Sequence, residues 1–133
     1  MSPCFGDTSY YLALLIPQDV RHEAARALAV ELHRPVVTSE FILLEVGNYL
    51  SAPPGRTKFG PFLRTVFADR FTTVVPASSA LLARGIELYQ RRADKAWSLT
   101  DCISFVVMED QSIVDALTAD HHFEQAGFNV LLK

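Results

Sequence analysis

Pro3-Cys4-Phe5-Gly6-Asp7-Thr8-Ser9-Tyr10-Tyr11-Leu12-Ala13-Leu14-Leu15-Ile16 opens with a short apolar run that ends at glycine, continues with an acid, and then turns helical. Its order of strand, acid and helix sets the pattern for the chain. Short apolar or β-branched runs bounded by turn residues recur at Pro35 to Thr38, Phe71 to Val75, Ile113 to Thr118 and Phe128 to Leu132, which with Pro3 to Gly6 predict five strands. Helical patterns separate them: Thr8 to Leu15, Val20 to His33, Ser39 to Leu50, Arg64 to Ala68, Ser79 to Arg91, Leu99 to Glu109 and His122 to Ala126. Strands alternating with helices pair in parallel through right-handed crossovers, so the expected fold is α/β with a central parallel sheet of four to five strands.

The 133 residues are half hydrophobic and one fifth charged, as in a globular domain, and a chain of this length buries about two thirds of its unfolded surface. One domain spanning residues 1–133 is expected. Tyr10 to Ile16, the longest apolar run, is shorter than a membrane span, and no positive charge precedes Arg21 to start a signal peptide. These features predict a cytoplasmic protein with no membrane association. Cys4 and Cys102 stand in no metal-binding or redox spacing and read as reduced, packed thiols. A net charge of −3 excludes a DNA-coating or polybasic membrane-binding protein. No glycine-rich phosphate loop is present.

Open parallel sheets bind ligands beyond the carboxyl ends of their strands, where the strand order reverses. Asp7 and Asp120 follow two of the predicted strands, and each also has a simpler reading as a helix N-cap. Glu45 is the one acid in Phe41 to Leu50, where seven of the other nine residues are Phe, Ile, Leu, Val or Tyr. A helix so apolar would draw Glu45 out of bulk water, at a cost of several kcal/mol unless it is paired, protonated or metal-bound. Glu40, at the polar start of the same helix, reads as structural. Asp101 closes Ser98-Leu99-Thr100-Asp101, a capping box ahead of a strongly apolar helix that would hold it rigidly. The segment Ala52-Pro53-Pro54-Gly55 is expected to end the helix begun at Ser39, and Arg92 to Ser98 to form a loop beside Asp101.

Four segments together, Phe5-Gly6-Asp7-Thr8-Ser9, Thr38-Ser39 through Leu44-Glu45-Val46, Ser98 through Ser104, and Leu117 through Phe123, resemble the four acidic motifs of the PIN-domain ribonucleases. Their order and spacing are similar to the family's, and the size is like that of VapC-type toxins of toxin–antitoxin pairs. The resemblance implies a three-layer α/β/α PIN-like fold whose acids collect at the strand ends and hold Mg²⁺ or Mn²⁺. It implies Asp7, Glu45, Asp101 and Asp120 as the metal-binding and catalytic carboxylates; within that set Asp7 and Asp101 are expected as the principal ligands, with Glu45 and Asp120 completing the site or positioning water. Thr8 and Thr100 match hydroxyl positions that place substrate or water, and His121 and His122 carry no implied catalytic role. The implied reaction is hydrolysis of an RNA phosphodiester by water, which leaves a 5′-phosphate. The implied partners are an RNA substrate, a VapB-type antitoxin and a second copy of the chain in a homodimer.

The donor types suit that chemistry. Two carboxylates about 4 Å apart repel by about 4 kcal/mol at an effective dielectric of 20, and a hard divalent cation relieves this. Oxygen-only ligands favour Mg²⁺ or Mn²⁺ over Zn²⁺. Setting the four acids aside takes the remainder of the chain from −3 to +1. Arg56, Lys58, Arg91, Arg92 and Lys95 read either as RNA-phosphate contacts or as solvated loop charge, and Trp97 or a tyrosine as a base-stacking ring or core. Two other phosphoryl-transfer folds place an Asp after a strand. The haloacid-dehalogenase pattern fails at Ser9 and a receiver domain at Asp69. The non-enzymatic alternative is a PIN-like module that binds RNA or protein without cutting.

Overall fold

In the computed structural model, which describes residues 1–133, five parallel strands form one sheet. They are β1 (Cys4–Gly6), β2 (Val36–Ser39), β3 (Thr72–Val75), β4 (Asp115–Leu117) and β5 (Asn129–Val130), in the order β3-β2-β1-β4-β5. The helices are α1 (Thr8–Leu15), α2 (His22–Glu31), α3 (Glu40–Tyr49), α4 (Phe59–Ala68), α5 (Ser79–Arg91), α6 (Leu99–Asp110) and α7 (His121–Gln125), with a 3₁₀ turn at Gly55–Lys58. Phe5 of β1 pairs with Val37 on one side and Ala116 on the other, so β1 is the central strand and the strand order reverses between β1 and β4. Right-handed crossovers place α1–α4 on one face and α5–α7 on the other. The helix packing follows, with α1 against α2 and α3, and α6 against α5 and α7.

Local sequence explains most element starts. Ser39 Oγ accepts from the Ile42 amide (3.2 Å) and Ser78 Oγ from the Leu81 amide (3.0 Å), which caps α3 and α5. Every residue from Cys102 to Met108 is buried, because α6 lies between the sheet and its flanking helices. Phe105 stacks edge-on with Trp97 (5.0 Å) and Phe123 (4.9 Å). At the amino ends of the strands, Arg34 bonds the Asp115 carboxylate (2.7 Å) and the Ser2 carbonyl (2.9 Å), tying together the edge opposite the acids. Both cysteines are free and buried.

Several boundaries differ from expectation. α4 begins at Phe59, five residues before Arg64, and carries Pro61 in its first turn, where a missing N–H leaves no bond unmade. α2 is two residues shorter at each end than the pattern Val20 to His33 suggests. Trp97 is core: it is 6% exposed and donates Nε1–H to Gln125 Oε1 at 3.0 Å. It cannot stack on a base. Four of the five candidate cations have partners in the chain: Arg91 on Glu87 (3.3 Å), Arg92 on Asp94 (3.0 Å), Arg56 on the Ser51 carbonyl (2.9 Å) and Lys58 on the Leu15 carbonyl (2.9 Å).

Gly85 lets α5 lie directly against α6, since a Cβ there would meet Ile103 Cγ1 and come within 3.3 Å of Ile103 Cα. Gly85→Ala is expected to lose about 1–3 kcal/mol of stability through overpacking, against the roughly 1 kcal/mol that alanine offers a solvent-facing helix position. A lowered midpoint in thermal or urea unfolding checks it.

Candidate functional site

The carboxyl edge of the sheet opens into a cavity of about 370 Å³ where β1 and β4 part, lined by Asp7, Glu45, Asp101 and Asp120 together with Thr8, Ser9, Asp19, Arg21, Tyr49 and His122. All four sequence-nominated acids therefore reach one cleft from four places in the chain: the end of β1, the middle of α3, the first turn of α6 and the start of α7. Thr8 also lines it. Thr100 does not.

Asp7 stands at the N-cap position of α1, yet its side chain accepts no bond from that helix's amides. Its hydrogen bonds come from hydroxyls: Thr118 Oγ1 donates to Oδ2 at 2.7 Å and Ser9 Oγ at 3.2 Å. Thr118 Oγ1 in turn accepts from the Asp120 amide at 3.1 Å, which ties the loop after β4 to the residue after β1. Asp7 is 5% exposed. Burial pushes its carboxyl up to about 7; the Thr118 hydrogen bond opposes that rise, while the charges of Asp101 and Glu45 add to it.

Asp101 holds the reciprocal capping box that its sequence promises: Ser98 N–H donates to Oδ2 at 3.1 Å and Asp101 N–H to Ser98 Oγ at 3.0 Å. The same Oδ2 lies 3.0 Å from His122 Nδ1. Burial raises this carboxyl too, against the lowering effects of the Ser98 backbone and His122. Asp120 caps α7 by accepting from His122 N–H at 2.9 Å, and its Oδ1 lies 3.4 Å from His122 Nδ1. Cap and cavity wall are combined in both residues.

Glu45 differs from its expected setting. It is half-buried rather than withdrawn from water, because α3 buries Ile42, Leu43 and Val46 but leaves Leu44 and Tyr49 61% and 70% exposed. The helix is apolar by composition and two-faced in packing.

The lining fits a hard divalent cation. Its donors are mostly carboxylate oxygens, two of them buried and held away from their ordinary ionisation, and Thr8 Oγ1 is buried without any hydrogen-bond partner. Asp120, His121 and His122 also form a set whose ligand atoms lie within 4.8 Å of one another, a mixed oxygen and nitrogen arrangement beside the acids. Sequence reasoning passed over Ser9, Thr118 and His122, each lying two residues from an acid. Ser9 reaches Asp7 locally, two residues on, but Thr118 and His122 meet Asp7 and Asp101 across 111 and 21 residues, contacts that carry no local signature.

Comparison with known proteins places this geometry. The 23S rRNA-specific endonuclease VapC20 of Mycobacterium tuberculosis is 31% identical over 127 residues, 93% of this chain and 94% of that protein. The crystal structure of the same organism's VapC20, described as a sarcin-ricin loop cleaving toxin, superposes with a TM-score of 0.89 at 26% identity, covering 99% of this chain and all of that one. FitAcB from Neisseria gonorrhoeae shares the fold at a TM-score of 0.67 and 17% identity over 96% of both chains. A sequence model of the PIN domain matches residues 4–129, a span that runs from β1 into β5 and encloses all four carboxylates; the chain belongs to the PIN domain family.

Proposed function

We propose that this protein is an endoribonuclease that hydrolyses RNA phosphodiester bonds with Mg²⁺ or Mn²⁺, and that it is the toxin of a toxin–antitoxin pair in the cytoplasm. The observation that carries the reading is the convergence of buried Asp7 and Asp101 with Glu45 and Asp120 on one cavity at the reversal of the sheet. Similarity to an rRNA endonuclease over nearly the whole chain supports RNA as the substrate.

Asp7, Glu45, Asp101 and Asp120 are the residues that would hold the cation. When bound, it supplies compensation for their charge, a water made more acidic, and shielding of the charge that grows on the scissile phosphate. The protein's own groups do the positioning. Thr118 and Ser9 both hold Oδ2 of Asp7, and Ser98 with His122 fixes Oδ2 of Asp101. Thr8 Oγ1, with no internal partner, is free to donate to a phosphate oxygen. A VapB-type antitoxin would silence the enzyme by offering a basic side chain to the carboxylates, and the active form is read as a homodimer.

Cleavage of a mixed panel of structured and single-stranded RNAs in Mn²⁺ tests the reading. Cutting is expected with the wild type and is expected to fall by at least about a hundredfold in Asp7→Asn, Asp101→Asn or EDTA. Cutting that survives in EDTA or in Asp7→Asn would overturn it. Thr118→Val, which removes the hydroxyl that orients Asp7, is expected to lower metal affinity about 10–100-fold, as read by calorimetric Mn²⁺ titration.

The raised Asp7 carboxyl also fixes a pH dependence. The folded metal-free chain keeps a proton on Asp7 that the unfolded chain releases near pH 4, so stability declines as pH rises from about 4 to about 7 and levels off above that. Asp101 acts in the same direction. Asp115, Asp110 and Asp94, held below the ordinary range by their partners, lose stability only below about pH 4 and leave this window untouched. Asp7→Asn is therefore expected to raise stability at pH 8 by about 1–3 kcal/mol and to flatten the slope between pH 4 and 7. Urea unfolding in EDTA across that range measures both.

A further inference from the structure

Two side chains at the mouth of the acidic cavity have no structural task. Arg21 lines the cavity beside Asp7, Asp19, Glu45, Asp101 and Asp120, yet it is exposed and its guanidinium forms no ion pair or hydrogen bond. Several other arginines are engaged, among them Arg34 with Asp115, Arg84 with Asp110 and Arg92 with Asp94, and the unpaired Arg64 and Arg70 lie away from the cavity. The Arg21 backbone is nonetheless firmly set: its N–H donates to Asp19 Oδ1 at 2.8 Å and its carbonyl accepts from the Ala25 amide at 2.9 Å. Its residue thus sits on a pinned turn between α1 and α2. Tyr49 is the second. It follows Glu45 by one helical turn on α3, lines the same cavity, and is 70% exposed.

We propose that Arg21 and Tyr49 form the RNA grip of this cleft, Arg21 binding a backbone phosphate and Tyr49 stacking on a base next to the scissile bond. A polyanion approaching four carboxylates needs a fixed cation at the entrance, and Arg21 is the arginine that lines it. Guanidinium suits a phosphate through paired N–H donors. An aromatic ring held in water at the rim of such a cleft offers a stacking platform, which requires a base already out of its helix. The substrate class is therefore an unpaired nucleotide, in a loop or single strand, and the assignment rests on the nuclease reading above.

Steady-state cleavage of an unpaired oligoribonucleotide in Mn²⁺, over a range of salt, separates the two contacts. Arg21→Ala is expected to raise KM about tenfold with kcat little changed, and to make the fall of log(kcat/KM) with log salt shallower by about 0.7. Arg21→Lys recovers most of that slope. Tyr49→Ala raises KM about tenfold with the wild-type salt slope, and Tyr49→Phe behaves as wild type. Cleavage positions stay the same in every variant, since phosphate and stacking contacts carry no base code. Annealing a complementary strand across the site abolishes cutting. Both side chains are exposed, so the variants are expected to unfold at the wild-type temperature. The assignment is overturned if Arg21→Ala keeps both KM and salt slope, if Tyr49→Ala keeps KM, or if the duplexed site is cut equally well. Failure of the wild type to cut any RNA would overturn the nuclease reading itself and this assignment with it.

Discussion

Burial of one carboxylate, Asp7, at the end of the central strand is the constraint around which this structure is arranged. β1 is hydrogen-bonded on both sides, to β2 and β4, so the residue that follows it has no freedom to drift toward solvent. A dehydrated carboxylate is unfavourable by several kcal/mol without compensation. What the fold supplies is partial: two hydroxyls, and none of the helix amides that its N-cap position offers. The result is a carboxyl that burial pushes up to about 7, only partly ionised at neutral pH, with its charge left for a cation to stabilise.

The same logic extends to the other acids, through elements that would be needed for folding alone. Asp101 completes a capping box and Asp120 caps α7, so two helix starts and two cavity walls use the same atoms. Dual use fixes position. α6 is buried along almost its whole length, and the cap therefore places Asp101 against a rigid support. Gly6, just before Asp7, has a related role: a Cβ at that position would meet the Tyr11 hydroxyl, and without one α1 can fold back tightly onto the strand that presents the acid. Arg34 clamps the opposite edge of the sheet through Asp115, while like charge is gathered in the cleft.

Much of this was legible in the sequence because strand, acid and helix are local patterns. Every expected strand and helix exists, and errors lie at ends such as Phe59, where Pro61 in a first turn hid the beginning of α4. The four acids were legible because each stands where an apolar segment gives way to a helix or interrupts one. Their surroundings were less so. Glu45 read as buried from the composition of its helix, but composition does not say which face meets the core, and the cavity opens beside it. Trp97 shows the converse: a ring in a polar loop turned inward to Phe105 and Gln125. Thr118 and His122 act across long sequence separations, and only the fold joins them to their acids.

The most direct test of the central claim is an NMR titration of the Asp7 side-chain carboxyl carbon in the metal-free protein, repeated with Mg²⁺ and assigned through Asp7→Asn. The account predicts a midpoint near pH 7 without metal, as burial dictates, moving below the ordinary carboxylate range when the cation is added. A midpoint near 4 that Mg²⁺ does not move would show a solvated, unburdened acid at the end of β1, and would contradict the claim that this fold is built to hold a carboxylate in want of a metal.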